Sequence, residues 1–428
     1  MIRGLTSDEA SGRAPEVVTF GCRLNACESL AIGERARSEG LTDTVVFNTC
    51  AVTAEAVRQA RQAIRKARRE RPSARLIVTG CASQIDPRSF EAMDEVDLVV
   101  GNARKVADGA LAARGPRIRV SDIMADEAEF PAAAAGPMGR ARAYVAIQTG
   151  CDHRCTFCVI PYGRGNSRSQ SADVVVEQVR GLASAGYAEV VLTGVDLTSW
   201  GADVAEAPRL GDLVGRILDE VPELPRLRLS SIDAAEIDER LLAIMGAERR
   251  LAPHLHLSLQ SGDDLILKRM KRRHSRHDAL ELIAAVRRAR PDTAFGADFI
   301  AGFPTETEAA FENTLALVEE TGLAFLHVFP YSPRPGTPAA RMPQHPAELV
   351  HARARRLRAA GEAALARHLD RQIGRRVSAL VERPMRARAE DFTEIAFDGG
   401  AAPGSIIAGR VSGHDGRQAH LSSWEALN

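Results

Sequence analysis

Three cysteines stand close together in the run GCDHRCTFC, residues 150–158. Cys151, Cys155 and Cys158 form a CxxxCxxC array. That spacing lets three thiolates grip one face of a metal centre and leave a coordination position empty. Structural zinc takes four closed ligands, usually from paired CxxC elements. A cubic iron–sulfur cluster takes one thiolate per iron and tolerates one iron bound by something else. His153 inside the array keeps a three-cysteine, one-histidine zinc site open as an alternative, and buried inert cysteines are a second. Three cysteines in one loop of a chain that has seven favour the cluster.

Three more cysteines each close an apolar, β-branched run: EVVTFGC ends at Cys22, DTVVFNTC at Cys50 and ARLIVTGC at Cys81. Between them lie the helical stretches ACESLAIGERARSEG and AEAVRQARQAIRKARRERP. Strand and helix therefore alternate as in a parallel α/β domain, set here at residues 16–114, with a fourth strand in VDLVVG and a helix starting near Ala103. Ligand crevices of such sheets lie at the carboxyl ends of the strands. Cysteines far apart in sequence thus become neighbours and suit a second three-thiolate site, with buried small hydrophobes at strand ends as the alternative. Asn25 and Asn48 fall in the same loops, as donors near the site or as backbone caps. Cys27 reads as a packed small residue, with a spare ligand and a resolving thiol as alternatives.

Residues 115–142 are irregular and read as a linker. From AYVAIQTG onward, six strand-like segments alternate with amphipathic ones through residue 343: AYVAIQTG, AEVVLTGV, RLRLSSI, HLHLSLQSG, AFGADFIAGF and LAFLHVFPY. Six β/α units give a curved parallel sheet, short of the eight that close a barrel. Polar and glycine-rich groups collect at the strand ends: Thr193 to Asp196, Ser230 with Ser231, Gln260 to Gly262, and Asp298. Arg164 and Arg168 in PYGRGNSRS stand beside the CxxxCxxC loop and suit phosphate contacts, with a solvated loop as the alternative. Phe329 and Tyr331 are available for stacking, and GFPTET reads as a rim turn. No carboxylate or histidine pair stands out as a catalytic acid or base.

An Arg/Ala-rich helix at 344–371 precedes short strands at 372–428 whose spacing fits a small β-barrel. Residues 345–388 hold eleven Arg against four acidic groups. The whole chain is neutral, with 56 basic and 56 acidic side chains, so any nucleic-acid surface is local. Only four of the basic residues are Lys, a bias that a GC-rich genome also produces. The cysteines fit no short secreted framework, no apolar run opens the chain, and no stretch reaches the roughly 20 apolar residues that span a bilayer. These features predict a cytoplasmic protein without a membrane segment, its residues 1–15 disordered.

The run CDHRCTFCVIPYGRGNSRS resembles the signature of the radical S-adenosylmethionine (SAM) superfamily, specifically its methylthiotransferase family. TFGCRLNACES, NTCAVT and GCASQ resemble that family's three N-terminal motifs, and the tail resembles an RNA-binding TRAM domain. The resemblance implies two 4Fe-4S clusters, one on Cys22, Cys50 and Cys81 and one on Cys151, Cys155 and Cys158, with SAM chelated at the open iron of the second. It implies a fold of three parts: a parallel α/β domain, a (β/α)6 partial barrel and a small β-barrel. Gly194, Ser231 and Gln260 are the candidate SAM contacts. The implied reaction adds a methylthio group at C2 of a modified adenosine beside the tRNA anticodon. One SAM methylates sulfur held at the first cluster and another is cleaved to a radical at the second, fed by a donor such as flavodoxin or ferredoxin. CRLN, IPYGRGNSRS and SPRPGTPAA look most like the branch acting on N6-threonylcarbamoyladenosine. Branches acting on isopentenyladenosine or on a ribosomal-protein aspartate are alternatives, and a zinc-stabilised RNA-binding protein without catalysis is the alternative of a different class.

Overall fold

The structure, a computed structural model, describes residues 13–125 and 141–427. Residues 1–12, part of the segment expected to be disordered, and residues 126–140 of the expected linker lie outside the described residues. The chain divides into two compact units. One holds the chain up to the 126–140 stretch together with Val159–Asn166, and the other holds the remainder.

The first unit is a five-stranded parallel sheet in the order β1 (Glu16–Thr19), β2 (Thr44–Thr49), β3 (Arg75–Gly80), β4 (Leu98–Val100) and β5 (Ile118–Arg119). Helices α1 (Arg23–Ser38), α2 (Ala54–Glu70), α3 (Cys81–Ile85), α4 (Pro87–Glu91) and α5 (Ile160–Arg164) complete it. Strand alternation explains why both faces are apolar. Val45, Phe47, Leu76 and Val78 join one buried cluster with Ile64 and Phe90, while Val46 and Ile77 join Ile32 and Ala36 in another. Two expectations fail here. Residues 102–106 form turns rather than a helix, and buried Asn102 and Lys105 spend polar groups on partners remote in sequence, Gly163 O and Glu28. The text after Gly115, expected to be irregular, contributes β5 to the sheet edge.

The second unit opens with β6 (Ala143–Ala146) and a short antiparallel pair, β7 (Gln148–Thr149) with β8 (Arg168–Ser169). Strands β9 (Glu189–Thr193), β10 (Arg226–Leu229), β11 (His254–Gln260), β12 (Ala294–Ala301) and β13 (Phe325–Pro330) follow. Between them run α6 (Ala172–Ser184), α7 (Leu210–Glu220), α8 (Glu239–Ala247), α9 (Asp264–Met270), α10 (Arg276–Ala289) and α11 (Glu308–Thr321). Two parallel triplets, β6-β9-β10 and β11-β12-β13, are joined by bridges at Leu227–Leu251 and Ile232–Leu257. The six strands thus make the curved sheet of a partial barrel. Val190, Leu192, Leu227, Leu255, Leu257 and Phe295 face the helices in one large core. Their alternates put Glu189, Arg226, Arg228, His254, His256 and Asp298 on the opposite, concave face.

Helix α12 (Ala347–Asp370) leads into a closed five-stranded barrel of β14 (Arg376–Arg383), β15 (Arg386–Ala389), β16 (Glu394–Phe397), β17 (Ile406–His414) and β18 (Ala419–Leu427). It is tied to the concave sheet face by charge. Glu189 is wholly buried and receives Arg228 through Nε and Nη2, both at 3.0 Å, with Arg142 and Arg226 beside it at 3.0 and 3.3 Å. The same arginines reach Glu382, Glu390 and Ser378 of the terminal barrel.

Candidate metal centres

Strand ends bring Cys22, Cys50 and Cys81 together in the first unit. Cys22 precedes α1 and is exposed, Cys50 follows β2, and Cys81 opens α3; the latter two are buried. Burial, reinforced by the neighbouring Cys81 and Cys22 thiols, pushes the Cys50 thiol up to about 11. Burial raises the Cys81 thiol as well; without a metal the Cys50 and Cys81 thiols stay protonated, and a bound cation would draw the protons off. Gly21 has φ +93°, and a Cβ on it would sit 2.5 Å from Cys50 Cβ, so only glycine lets the two loops approach. Asn25 donates to Phe20 O and Thr49 O at 2.8 and 3.1 Å, and Asn48 donates to Asn25 O and Ser29 Oγ, both at 3.0 Å. Both amides brace the loops that carry the cysteines. Cys27 is buried.

In the second unit the CxxxCxxC loop is pinned at its entry and at Thr156. Gln148 donates to Thr149 O, Gly150 O and Ser167 Oγ, while its Oε1 accepts the Val195 and Asp196 amides at 2.9 Å each. Thr156 bonds through its amide to Met270 O and through its hydroxyl to Arg269 O. Burial, reinforced by Asp196, pushes the Cys151 thiol up to about 12, with Cys158 and Cys155 adding to the rise. Asp196 accepts from Ser199 Oγ at 2.8 Å and pairs with His153 Nε2 at 2.7 Å. Burial works to raise the Asp196 carboxyl, but these two partners outweigh it and hold it below the usual range. Arg272 donates to Cys155 Sγ at 3.7 Å and to Asp233 Oδ2 at 2.7 Å.

The donor chemistry separates one ion from a cluster. Around a tetrahedral zinc with bonds of about 2.3 Å, ligand sulfurs lie roughly 3.8 Å apart. Among the described residues, the groups whose ligand atoms all fall within 4.8 Å of one another are Cys151 with His153 and Asp196, and His256 with Asp298 and His327. Neither trio of thiols is gathered that tightly. A zinc at the loop would leave Cys155 and Cys158 unused, whereas wider thiol spacing fits a polynuclear cluster.

Among the candidate SAM contacts, Gly194 lies against Gln148, whose Oε1 would be 2.9 Å from an added Cβ. Ser231 is exposed, and Gln260 is half-buried with φ +70°. All three stand at the carboxyl ends of β9, β10 and β11, the edge that also carries Asp196 and Asp233.

Comparison with known proteins gives this arrangement its family. Residues 145–318 match the Radical SAM superfamily model, and residues 15–101 match the model described as Uncharacterized protein family UPF0004. The chain is 47% identical to the threonylcarbamoyladenosine tRNA methylthiotransferase MtaB of Rickettsia prowazekii, over 93% of this chain and 94% of that protein. The chain belongs to the radical SAM tRNA methylthiotransferase family. Another relative is the tRNA-2-methylthio-N(6)-dimethylallyladenosine synthase of Erythrobacter litoralis, 34% identical over 93% of this chain and 94% of that one. The fold is shared with the radical SAM methyltransferase TsrM of Kitasatospora setae at a TM-score of 0.55 and 15% identity, covering 77% of each chain.

For this methylthiotransferase one expectation needs correcting. Arg164 is not free to serve as a phosphate contact. It is buried in the first unit, donating to Glu28 Oε1 at 2.8 Å. The turn around Gly163, whose carbonyl accepts from Asn102 at 2.6 Å, carries it there. The Arg-rich run at 345–388 is also partly spent inside the protein, since Arg353 pairs with Glu306, Arg356 with Glu308, and Arg388 with Glu382. Gln148, Asp233 and Arg272 carry no motif of their own, and neither charge nor spacing singled them out.

Proposed function

We propose that this methylthiotransferase converts N6-threonylcarbamoyladenosine at tRNA position 37, next to the anticodon, to its 2-methylthio derivative. The observation that carries this reading is the 47% identity, along nearly the whole chain, with a relative named for that substrate. Supporting it are two separate sets of three free cysteines, each set at strand ends.

In this reading Cys22, Cys50 and Cys81 hold one 4Fe-4S cluster, and Cys151, Cys155 and Cys158 hold the other. When bound, the second cluster with SAM supplies a radical able to activate an inert C–H bond, and the first handles the sulfur to be transferred. The chain's own residues orient and shield. Gln148 fixes the entry to the cysteine loop, Arg272 and Asp196 flank its thiols, and Gly194, Ser231 and Gln260 line the strand edge where SAM would lie. Open parallel sheets place ligands at that edge. The terminal barrel, read as a TRAM domain, would hold the tRNA. A small redox protein such as flavodoxin or ferredoxin would feed electrons, and a cytoplasmic location follows from the tRNA substrate. No helix of the described residues is long and apolar enough to cross a membrane.

Mass spectrometry of tRNA nucleosides from a deletion strain tests the reading. 2-Methylthio-N6-threonylcarbamoyladenosine should disappear and return on complementation; its persistence refutes the substrate. The 34% identity with the dimethylallyladenosine enzyme makes that base the second reading, scored in the same spectrum. Iron and acid-labile sulfide after anaerobic reconstitution separate both from a zinc-stabilised RNA binder. About eight iron per chain fits two clusters, and zinc without sulfide fits the binder.

A further inference from the structure

Beside the N-terminal cysteines lies a group of charges that no step above uses. Glu28 on α1, Lys105 in the turns after β4 and Arg164 at the end of α5 are 7%, 1% and 3% exposed. Arg164 clasps Glu28 with two parallel bonds, Nη1 to Oε1 at 2.8 Å and Nη2 to Oε2 at 3.0 Å. Lys105 Nζ reaches the same carboxylate at 2.6 Å and donates to Asn102 Oδ1 at 2.6 Å. The network then touches the cysteines at two points. Asn102 Nδ2 donates to Cys81 Sγ at 3.7 Å, and Asn25 Oδ1, which accepts from Arg164, lies 3.8 Å from Cys22 Sγ.

Two cations, Lys105 and Arg164, share the one Glu28 carboxylate, and the charge of each also favours a thiolate at Cys81. A cubane core of two positive charges bound by three thiolates carries one net negative charge. It would stand directly against this network. The arginine comes from the segment that follows Cys158 in sequence yet folds into the first unit, so the first site is not complete on residues before the linker alone.

We propose that the Glu28–Lys105–Arg164 network is the built-in counter-ion of the Cys22/Cys50/Cys81 cluster and sets its reduction potential, with Arg164 as a positioning residue. This rests on the reading that these cysteines hold a 4Fe-4S cluster. Reduction adds one electron and breaks no bond, so the cluster's negative charge grows by one. A nearby cation favours the reduced form and a nearby anion the oxidised one.

The test uses the full-length chain with Cys151, Cys155 and Cys158 all replaced by Ala, which leaves one cluster to observe. After anaerobic reconstitution, a dithionite titration followed by electron paramagnetic resonance reads the midpoint potential. Arg164→Gln and Lys105→Gln should each lower it, Glu28→Gln should raise it, and Arg164→Lys should stay nearer the parent. Opposite signs for removing a cation and removing an anion are what a merely architectural role would not produce. Unchanged potentials, or shifts of one sign for all, at full iron content would overturn the proposal. So would loss of iron from Glu28→Gln, Arg164→Gln and Lys105→Gln alike. A parent chain that fails to hold about four iron would instead sink the cluster reading beneath it.

Discussion

The Phe392 ring of the terminal barrel stacks on His254 of β11, with centroids 4.6 Å apart and planes inclined by 23°. Guanidinium groups of Arg228 and Arg388 sit over the same phenyl ring at 5.1 and 4.7 Å. His254 is on the concave face of the six-stranded sheet. One aromatic side chain therefore joins the small barrel to the sheet that carries the CxxxCxxC loop, through a ring stack and cation–π contacts. Phe392→Ala should destabilise the protein by about 2–4 kcal/mol, read as a lower urea midpoint. A change within about 0.5 kcal/mol, the range of ordinary surface substitutions, would mean that the barrel does not lean on the sheet through this residue.

Glu189 makes the same junction sensitive to acid. Burial works to raise its carboxyl, but Arg228, Arg142 and Arg226 outweigh that and hold it at about 2, against an ordinary value of 4.5. A carboxyl with a depressed folded-state value contributes stability that is fully present above the unfolded value. That contribution is lost as pH falls from about 4.5 toward 2, because the unfolded chain then binds the proton first. Glu189→Gln should flatten the pH dependence of chemical unfolding in that window. It should also lower stability at pH 7 by about 3–5 kcal/mol, since three arginines are left facing a neutral amide. An unchanged acid slope would mean that other carboxylates govern acid unfolding.

What the sequence made legible was whatever local chemistry dictates. The six candidate cluster cysteines stand out because an apolar, β-branched run ends at each of Cys22, Cys50 and Cys81, and because Cys151, Cys155 and Cys158 share one loop. Period-two alternation in HLHLSLQ and AFGADFIA exposed the sheet, and the short runs after Gly374 exposed the barrel. Long-range partners stayed hidden. Arg164 reads as a loop cation until the fold carries it to Glu28, and Lys105 reads as part of a helix because its burial depends on Glu28 and Asn102. Gln148, Asp233 and Arg272 also act through partners far away in sequence, the Val195 and Asp196 amides for Gln148 and Cys155 Sγ for Arg272, which no spacing rule reaches.

Gly21 offers a test of how tightly the N-terminal loops must close. An added Cβ would meet Cys50 Cβ at 2.5 Å and Sγ at 2.6 Å, at a backbone φ of +93° that side chains rarely adopt. Gly21→Ala should displace Cys50 while leaving the second unit folded. Iron per chain after reconstitution should fall from about eight to about four, with the remaining cluster still able to support SAM cleavage. Retention of about eight iron would mean that the loop yields without losing its ligand. Loss of all iron would mean that the two centres assemble together.

Arg272 should separate holding the second cluster from tuning it. It donates to Cys155 Sγ at 3.7 Å, to Asp233 Oδ2 at 2.7 Å and to Ser258 O at 2.6 Å. It therefore ties the Cys155 thiol to the carboxyl ends of two strands. Burial works to raise the Asp233 carboxyl, but His274 and Arg272 hold it well below the ordinary range, so the guanidinium faces a carboxylate at neutral pH. Partners one step behind the ligands of a metal centre are commonly worth about 10- to 100-fold in affinity or activity. Arg272→Met should lower dithionite-driven formation of 5′-deoxyadenosine by about that factor while iron stays near eight per chain. Arg272→Lys, which keeps the charge but loses the planar fork, should fall between that variant and the parent. If iron drops to about four instead, Arg272 is there to seat the loop. If both variants cleave SAM at the parental rate, its bond to Cys155 has no part in the chemistry.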